Sequence, residues 1–124
     1  MTSSGKEKRR HSRLPIDLQY RLEIDNREYS GHISNISLSG AYLATIKPTL
    51  PTSTVSRQGN LHINTERGWV AVKCEVVYVG SKNEFFPHGA GVTFCAGDED
   101  TATAVWNVAI QYLVQDNQLF ASIS

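Results

Sequence analysis

Between Leu18 and Ile24 the chain alternates: Leu18, Tyr20, Leu22 and Ile24 are separated by Gln19, Arg21 and Glu23. A period of two predicts a strand with one buried face. Asp25-Asn26 is a turn signal, and Tyr29 to Ser34 reads as the returning strand. Ile33 has the parity of Asn35, whereas Ile36 has the opposite parity, so the apolar face switches near Ser34 and a bend or bulge is expected there. Ala41 to Ile46 is a third strand, followed by a Pro-, Ser- and Thr-rich loop from Lys47 to Gln58. Leu61 to Thr65 is a short strand and Glu66-Arg67-Gly68 a turn. Trp69 to Val79 is a long strand with Val70, Val72, Cys74, Val76 and Tyr78 expected on one face. Gly80 to Asn83 is a further turn, and Gly89 to Cys95 closes the set. Six strands joined by several short turns predict an antiparallel barrel or sandwich, and closure into a barrel removes the exposed edges.

From Asp98 to Gln118 the period changes. Ala102, Val105, Trp106, Ala109, Ile110, Leu113 and Val114 form one apolar stripe on an amphipathic helix, with Asp98, Glu99 and Asp100 at its positive end. The stripe is expected to pack on the sheet, with a dimer interface as the alternative because Trp106 is large. The fold expectation is mainly β: a six-stranded antiparallel β-barrel with a C-terminal α-helix.

A length of 124 residues suggests one domain with a sizeable core. No apolar run approaches the roughly 20 residues of a membrane span, and the polar N-terminus does not read as a signal peptide, so the expected location is cytoplasmic. Cys74 and Cys95 are too few for a disulfide framework, and both are expected to be buried reduced thiols. The formal net charge of zero hides an asymmetry. Residues 1–13 carry five basic side chains against one acidic, and the remainder seven basic against eleven acidic. A basic arm on an acidic body suits an anionic partner, or else a solvated tail drawn to its own body.

The stretch Asn35-Ile36-Ser37-Leu38-Ser39-Gly40 carries the candidate chemistry. If extended, it places Asn35 and Ser37 on one face and Ile36 and Leu38 on the other. Asn and Ser offer donors and acceptors, and Gly40 allows a positive φ or a close backbone approach. The pair could grip a flat polar ligand; it could equally be a capped turn. Near the N-terminus lies Arg9-Arg10-His11-Ser12-Arg13, followed by Leu14-Pro15-Ile16, where Pro15 argues against a helix.

Arg-x-x-x-Arg followed by Asn-x-Ser-x-x-Gly, in this order and at this separation, resembles the PilZ domain family of bacterial cyclic di-GMP receptors. The resemblance continues through Leu14-Pro15-Ile16 and reappears at Gly89-Ala90-Gly91-Val92-Thr93-Phe94, which looks like the family's last barrel strand; it covers roughly residues 8 to 115. It implies a flexible basic arm over residues 1–8 and a PilZ-like domain over 9–124, with the barrel at about 14–96 and the helix at about 99–116. It implies Arg9, Arg13, Asn35, Ser37 and Gly40 as ligand-binding residues, with Lys8, Arg10 and Ser39 as secondary candidates. Two positions depart from the commonest pattern. Asn35 stands where many members carry Asp, and a neutral amide is a weaker partner for guanine N–H groups than a carboxylate. Ser39 stands where a second glycine is frequent.

Catalysis has no positive signal: no Gly-x-Ser-x-Gly elbow, no phosphate-binding Gly-x-x-x-x-Gly-Lys loop, and four scattered histidines, His11, His32, His62 and His88, without metal-ligand spacing. No catalytic residue, metal or cofactor is expected. The functional expectation is a cyclic di-GMP receptor or adaptor whose arginine arm orders on the ligand and changes contacts with a protein partner. It is expected to be monomeric, or dimeric through the helix. The alternatives are a PilZ-like structural adaptor that binds no nucleotide, which the intact motifs argue against, and a small nucleic-acid-binding barrel. The acidic body and the absence of aromatics among the basic residues disfavour the latter.

Overall fold

The computed structural model describes residues 14–80 and 89–113. Within them six strands, β1 (Leu14–Ile24), β2 (Arg27–Ile36), β3 (Gly40–Leu43), β4 (Gln58–Thr65), β5 (Gly68–Val79) and β6 (Ala90–Phe94), close into an antiparallel barrel in the order β1-β2-β3-β6-β5-β4. A helix, α1 (Glu99–Val108), follows and ends in a wider π-helical turn, Ala109–Leu113.

The alternation seen in the sequence sets the core. Tyr20, Leu22 and Ile24 of β1, Leu61 and Ile63 of β4, and Val72, Cys74 and Val76 of β5 are all buried. Both Asp25 and Asn26 have positive φ, the backbone a two-residue hairpin of this hand needs, and Asp and Asn tolerate it best among residues with a Cβ. The β4–β5 hairpin instead uses Gly68, at φ 117°, with the Thr65 hydroxyl donating to its carbonyl. β1 begins at Leu14, four residues ahead of the alternating pattern, because an irregularity between Pro15 and Leu18 breaks the period while pairing with β2 continues.

The third strand is shorter than the expected Ala41 to Ile46. Regular pairing stops at Leu43, where Thr45 folds over Gly31: its carbonyl accepts from the Tyr20 hydroxyl and its hydroxyl oxygen accepts from the His32 N–H. Gly31 allows this, since a Cβ there would collide with the Thr45 carbonyl. The connection to β4 is a loop, as expected, yet it adds Ile46, Leu50 and Thr54 to the buried set. Burial of polar loop residues requires partners, and the Thr54 hydroxyl donates to the Pro51 carbonyl at 2.7 Å. Cys74 is buried, and desolvation pushes its thiol up to about 12, with nearby Cys95 adding to the shift; Cys95, expected to be buried, is only partly so.

The helix departs most from expectation. Its buried face is Thr101, Ala104 and Val108, continuing to Ala109 and Gln111, so the packed stripe is rotated by about one residue. Trp106 and Ile110, assigned to the packing stripe, are 55% and 48% exposed. Val114 lies outside the described residues. The cause is a polar anchor that an apolar count cannot see. The Asp98 carboxylate caps the helix by accepting from the Thr101 N–H at 3.0 Å and the Thr101 hydroxyl at 2.8 Å. The same hydroxyl oxygen accepts from the Lys73 N–H of β5 at 2.8 Å, which turns Thr101 toward the barrel.

These bonds favour ionised Asp98 and hold its pKa below the usual carboxylate range, the Thr101 side chain contributing most. A lowered folded-state pKa adds stability above the unfolded value of about 4, and that stability is lost as pH falls through the folded value. Melting curves from neutral to acid pH should therefore show a shallower acid decline for Asp98→Asn than for the wild type. Parallel declines would remove this assignment.

Candidate functional site

The β2–β3 turn is built by three local events. The apolar face of β2 runs to Ile33, an irregularity at Ser34 inserts one residue, and Asn35 then pairs with Tyr42 while Ile36 pairs with Ala41. Ile33, Ile36, Ala41 and Leu43 are buried, so Asn35 and Tyr42 take the outer face. The bulge expected at Ser34 is therefore present, and it aims Asn35 outward.

Beyond Ile36 the extended pattern stops. Ser37 is 3% exposed, as buried as its neighbour Ile36 at 2%, so Asn35 and Ser37 do not continue one alternating face. The chain turns instead: the Ser37 N–H donates to the Gly40 carbonyl at 2.9 Å, and the Ser37 Oγ accepts from the Ser39 N–H at 3.2 Å and lies 3.1 Å from the Ser39 Oγ. The Ser39 carbonyl accepts from the Phe94 N–H at 2.9 Å and from the Thr93 hydroxyl at 3.0 Å, fastening the turn to β6. Ser37→Ala removes the hydroxyl that organises this turn. It should cost about 0.5–1.5 kcal/mol of stability, the usual net worth of a hydrogen bond, measurable by urea titration. An unchanged midpoint would show that the backbone holds the turn unaided.

Gly40 is required by close approach and not by backbone angle. It is not among the positive-φ residues, but a Cβ on it would run into the Val92 carbonyl oxygen of β6. Of the two roles open to this glycine in the sequence, the structure selects the second.

The strand register sets the first residues of β1 beside the candidate turn. Leu14 pairs with Ile36 and Pro15 with Asn35, so the chain that carries Arg9 and Arg13 joins the barrel directly beside the turn. Arg9, Arg13, Lys8 and Arg10 themselves lie outside the described residues, as does the expected order or disorder of the arm. Asn35, Ser37, Ser39 and Gly40 are within them. No group of three or more His, Cys, Asp or Glu among the described residues is placed to hold a metal ion. No helix among them is long and apolar enough to cross a membrane.

One neighbour of the site was hidden in the sequence. The alternation of β5 assigns Tyr78 to the face of Val70, Val72, Cys74 and Val76, but a register shift between Val76 and Tyr78 reverses it. Tyr78 pairs with Gly91 on the outer face, Val79 packs inward with Ala90, and the Tyr78 ring stacks on Tyr42 at 6.2 Å between centroids. The uninterrupted apolar run Val76-Val77-Tyr78-Val79 is the signal that could have shown a break in period.

A family model described as PilZ domain matches residues 7–112, a span containing both motifs. Among solved structures, the chain is similar to the PilZ domain with c-di-GMP of YcgR from Escherichia coli, with a TM-score of 0.67 at 11% identity, covering 93% of this chain and 98% of that one. It is similar to the inhibitor of motility of Bacillus subtilis, with a TM-score of 0.63 at 15% identity, covering 90% and 52%. It is also similar to the K. pneumonia MrkH–c-di-GMP complex, with a TM-score of 0.67 at 18% identity, covering 89% and 54%. The chain thus spans about half the length of the motility inhibitor and of MrkH. At these identities the likeness establishes the fold. No curated protein matches the chain in sequence.

Proposed function

The chain belongs to the PilZ domain family, and on that premise we propose that it is a receptor for cyclic di-GMP without catalytic activity of its own. The observation that carries this reading is the β1–β2 register, which sets Leu14 opposite Ile36, so that the motif preceding Leu14 in the chain is joined to the barrel next to the Asn35–Gly40 turn. In this reading the two motifs, which begin at Arg9 and Asn35, form one site. The c-di-GMP complexes among the similar structures, those of YcgR and MrkH, support the choice of ligand.

The chemistry fits the residue types. Cyclic di-GMP presents two guanines and two phosphates. A guanidinium is planar and always charged; it pairs bidentately with the guanine O6/N7 edge or with phosphate, and it stacks on a base. Arg9 and Arg13 supply these contacts, with Arg10 and Lys8 adding positive charge. Asn35 offers its amide to a guanine edge, and Ser37 Oγ exchanges its contact with Ser39 for the ligand. Gly40 keeps the turn against β6, and Ser39 borders the site. Five basic side chains in residues 1–13 repel one another until a ligand with two phosphates supplies counter-charge. The arm therefore orders on binding and presents a changed surface to a protein partner.

Calorimetric titration with cyclic di-GMP, with GTP and cyclic di-AMP as controls, tests the reading. Saturable binding of cyclic di-GMP alone is expected, with an unfavourable entropy from ordering the arm. Lys8, just before the first motif arginine in the sequence, supplies a positive charge suited to the phosphate of a second ligand, so the expected stoichiometry is two per chain; saturation at one would remove the role of Lys8. Absence of binding at millimolar ligand would overturn the receptor reading.

A further inference from the structure

We infer that Tyr42 and Tyr78 form the floor on which one guanine of the ligand lies while Asn35 holds its edge, an inference that rests on the cyclic di-GMP reading. Four strands place these residues in one row on the outer face of the barrel. Asn35 of β2 pairs with Tyr42 of β3, Tyr42 pairs with Gly91 of β6, and Gly91 pairs with Tyr78 of β5. Neighbouring strands lie about 4.8 Å apart, so the row runs roughly 14 Å across the sheet. A base whose edge meets the Asn35 amide and which extends toward β3 comes over Tyr42, the residue paired with Asn35 on that side.

The rings in this row are also stacked: Tyr42 and Tyr78 are nearly parallel, inclined by only 28° to one another. Both lie against stripped backbone: a Cβ at Gly91 would strike the Tyr78 ring, and one at Gly89 would strike the hydroxyl end of Tyr42. The two glycines, two residues apart, leave the room that both rings occupy. The bulge at Val77 is what brings Tyr78 to this side at all. Both rings are partly buried and partly open to solvent. An aromatic stack beside an amide suits a purine, because every base has a π-face that stacks on aromatic rings.

The test uses the full chain with cyclic di-GMP as the probe. Calorimetry compares the wild type with Tyr42→Leu, Tyr78→Leu and Tyr42→Phe, while NMR follows the guanine H8 proton of the ligand. Leucine still covers the glycine backbone but has no ring face; phenylalanine keeps the face. Both Leu variants should bind roughly 5- to 150-fold more weakly, the range for losing a base–aromatic stack. Tyr42→Phe should stay near wild type. Bound to the wild type, H8 of one guanine should move upfield under the ring current, and Tyr42→Leu should abolish that shift. Wild-type affinity in both Leu variants, or no upfield shift with the wild type, overturns the floor and leaves the receptor reading standing. If a Leu variant fails to fold, nuclear Overhauser contacts between guanine H8 and the Tyr42 or Tyr78 ring protons in the wild type decide the matter, their absence overturning the floor. A folded wild type that binds no cyclic di-GMP overturns both.

Discussion

Replacing Arg13 by alanine is expected to remove about 1–3 kcal/mol of cyclic di-GMP binding, roughly a 5- to 150-fold loss, while the melting temperature stays where it was. Arg13 precedes Leu14, and Leu14 pairs with Ile36 at the end of β2, so a guanidinium at position 13 is tied covalently to the side of the barrel that carries Asn35. Losing it removes charge, a bidentate donor pair and a stacking surface at once. Arg9→Ala should behave alike. Arg13→Lys should recover only part of the loss, since an ammonium keeps the charge without the planar fork. Both arginines precede Leu14, the first described residue of β1, which is why stability should not follow affinity. Calorimetry on each variant, paired with a thermal melt, checks both halves of the expectation. Wild-type affinity in both alanine variants would contradict it.

The second large effect is expected at Gly40, and on both readouts. Valine there drives its Cβ into the Val92 carbonyl oxygen. The obstacle is backbone in a paired strand, Gly40 being opposite Thr93, so relief requires β3 and β6 to separate. Forcing extra volume into a packed site costs about 1–3 kcal/mol and at times more. For a domain of this size that is a fall in Tm on the order of 10 °C. Binding should fail with it, because Phe94 and Thr93 hold the Ser39 carbonyl in the same turn. Even Gly40→Ala should be damaging, since the clash begins at Cβ. A Gly40→Val protein with unchanged Tm and affinity would show that the strands tolerate the separation.

What could be read from the sequence was whatever a local period encodes. The six strands, the Asp25-Asn26 hairpin and the bulge at Ser34 all follow from alternation and turn chemistry over a few residues, and each is present. Closure of β1 onto β4 was one of two options, because register between strands some 40 residues apart leaves no local trace. The rotation of α1 was missed because Thr101, a polar residue bonded to Lys73, outweighs an apolar count that put Trp106 inward. Tyr78 was assigned to the wrong face because one inserted residue in β5 reverses every later side chain. At the candidate site, the residue types were legible and the geometry only partly so. Ser37 was placed by extrapolating a strand that ends one residue earlier, and its hydroxyl closes the turn instead.

The central claim is that the arginine segment and the Asn35–Gly40 turn close together on the nucleotide. Amide hydrogen exchange of the full chain, free and saturated with cyclic di-GMP, tests it most directly. Ordering a backbone costs roughly 1–2 kcal/mol per residue, and residues 5–13 offer no apolar side chain to offset that before the ligand arrives. Their amides should exchange freely without ligand and become protected with it, together with those of the turn, while the barrel strands change little. Protection of residues 5–13 already present in the free protein, or absent at saturation, would contradict the account even if cyclic di-GMP binds.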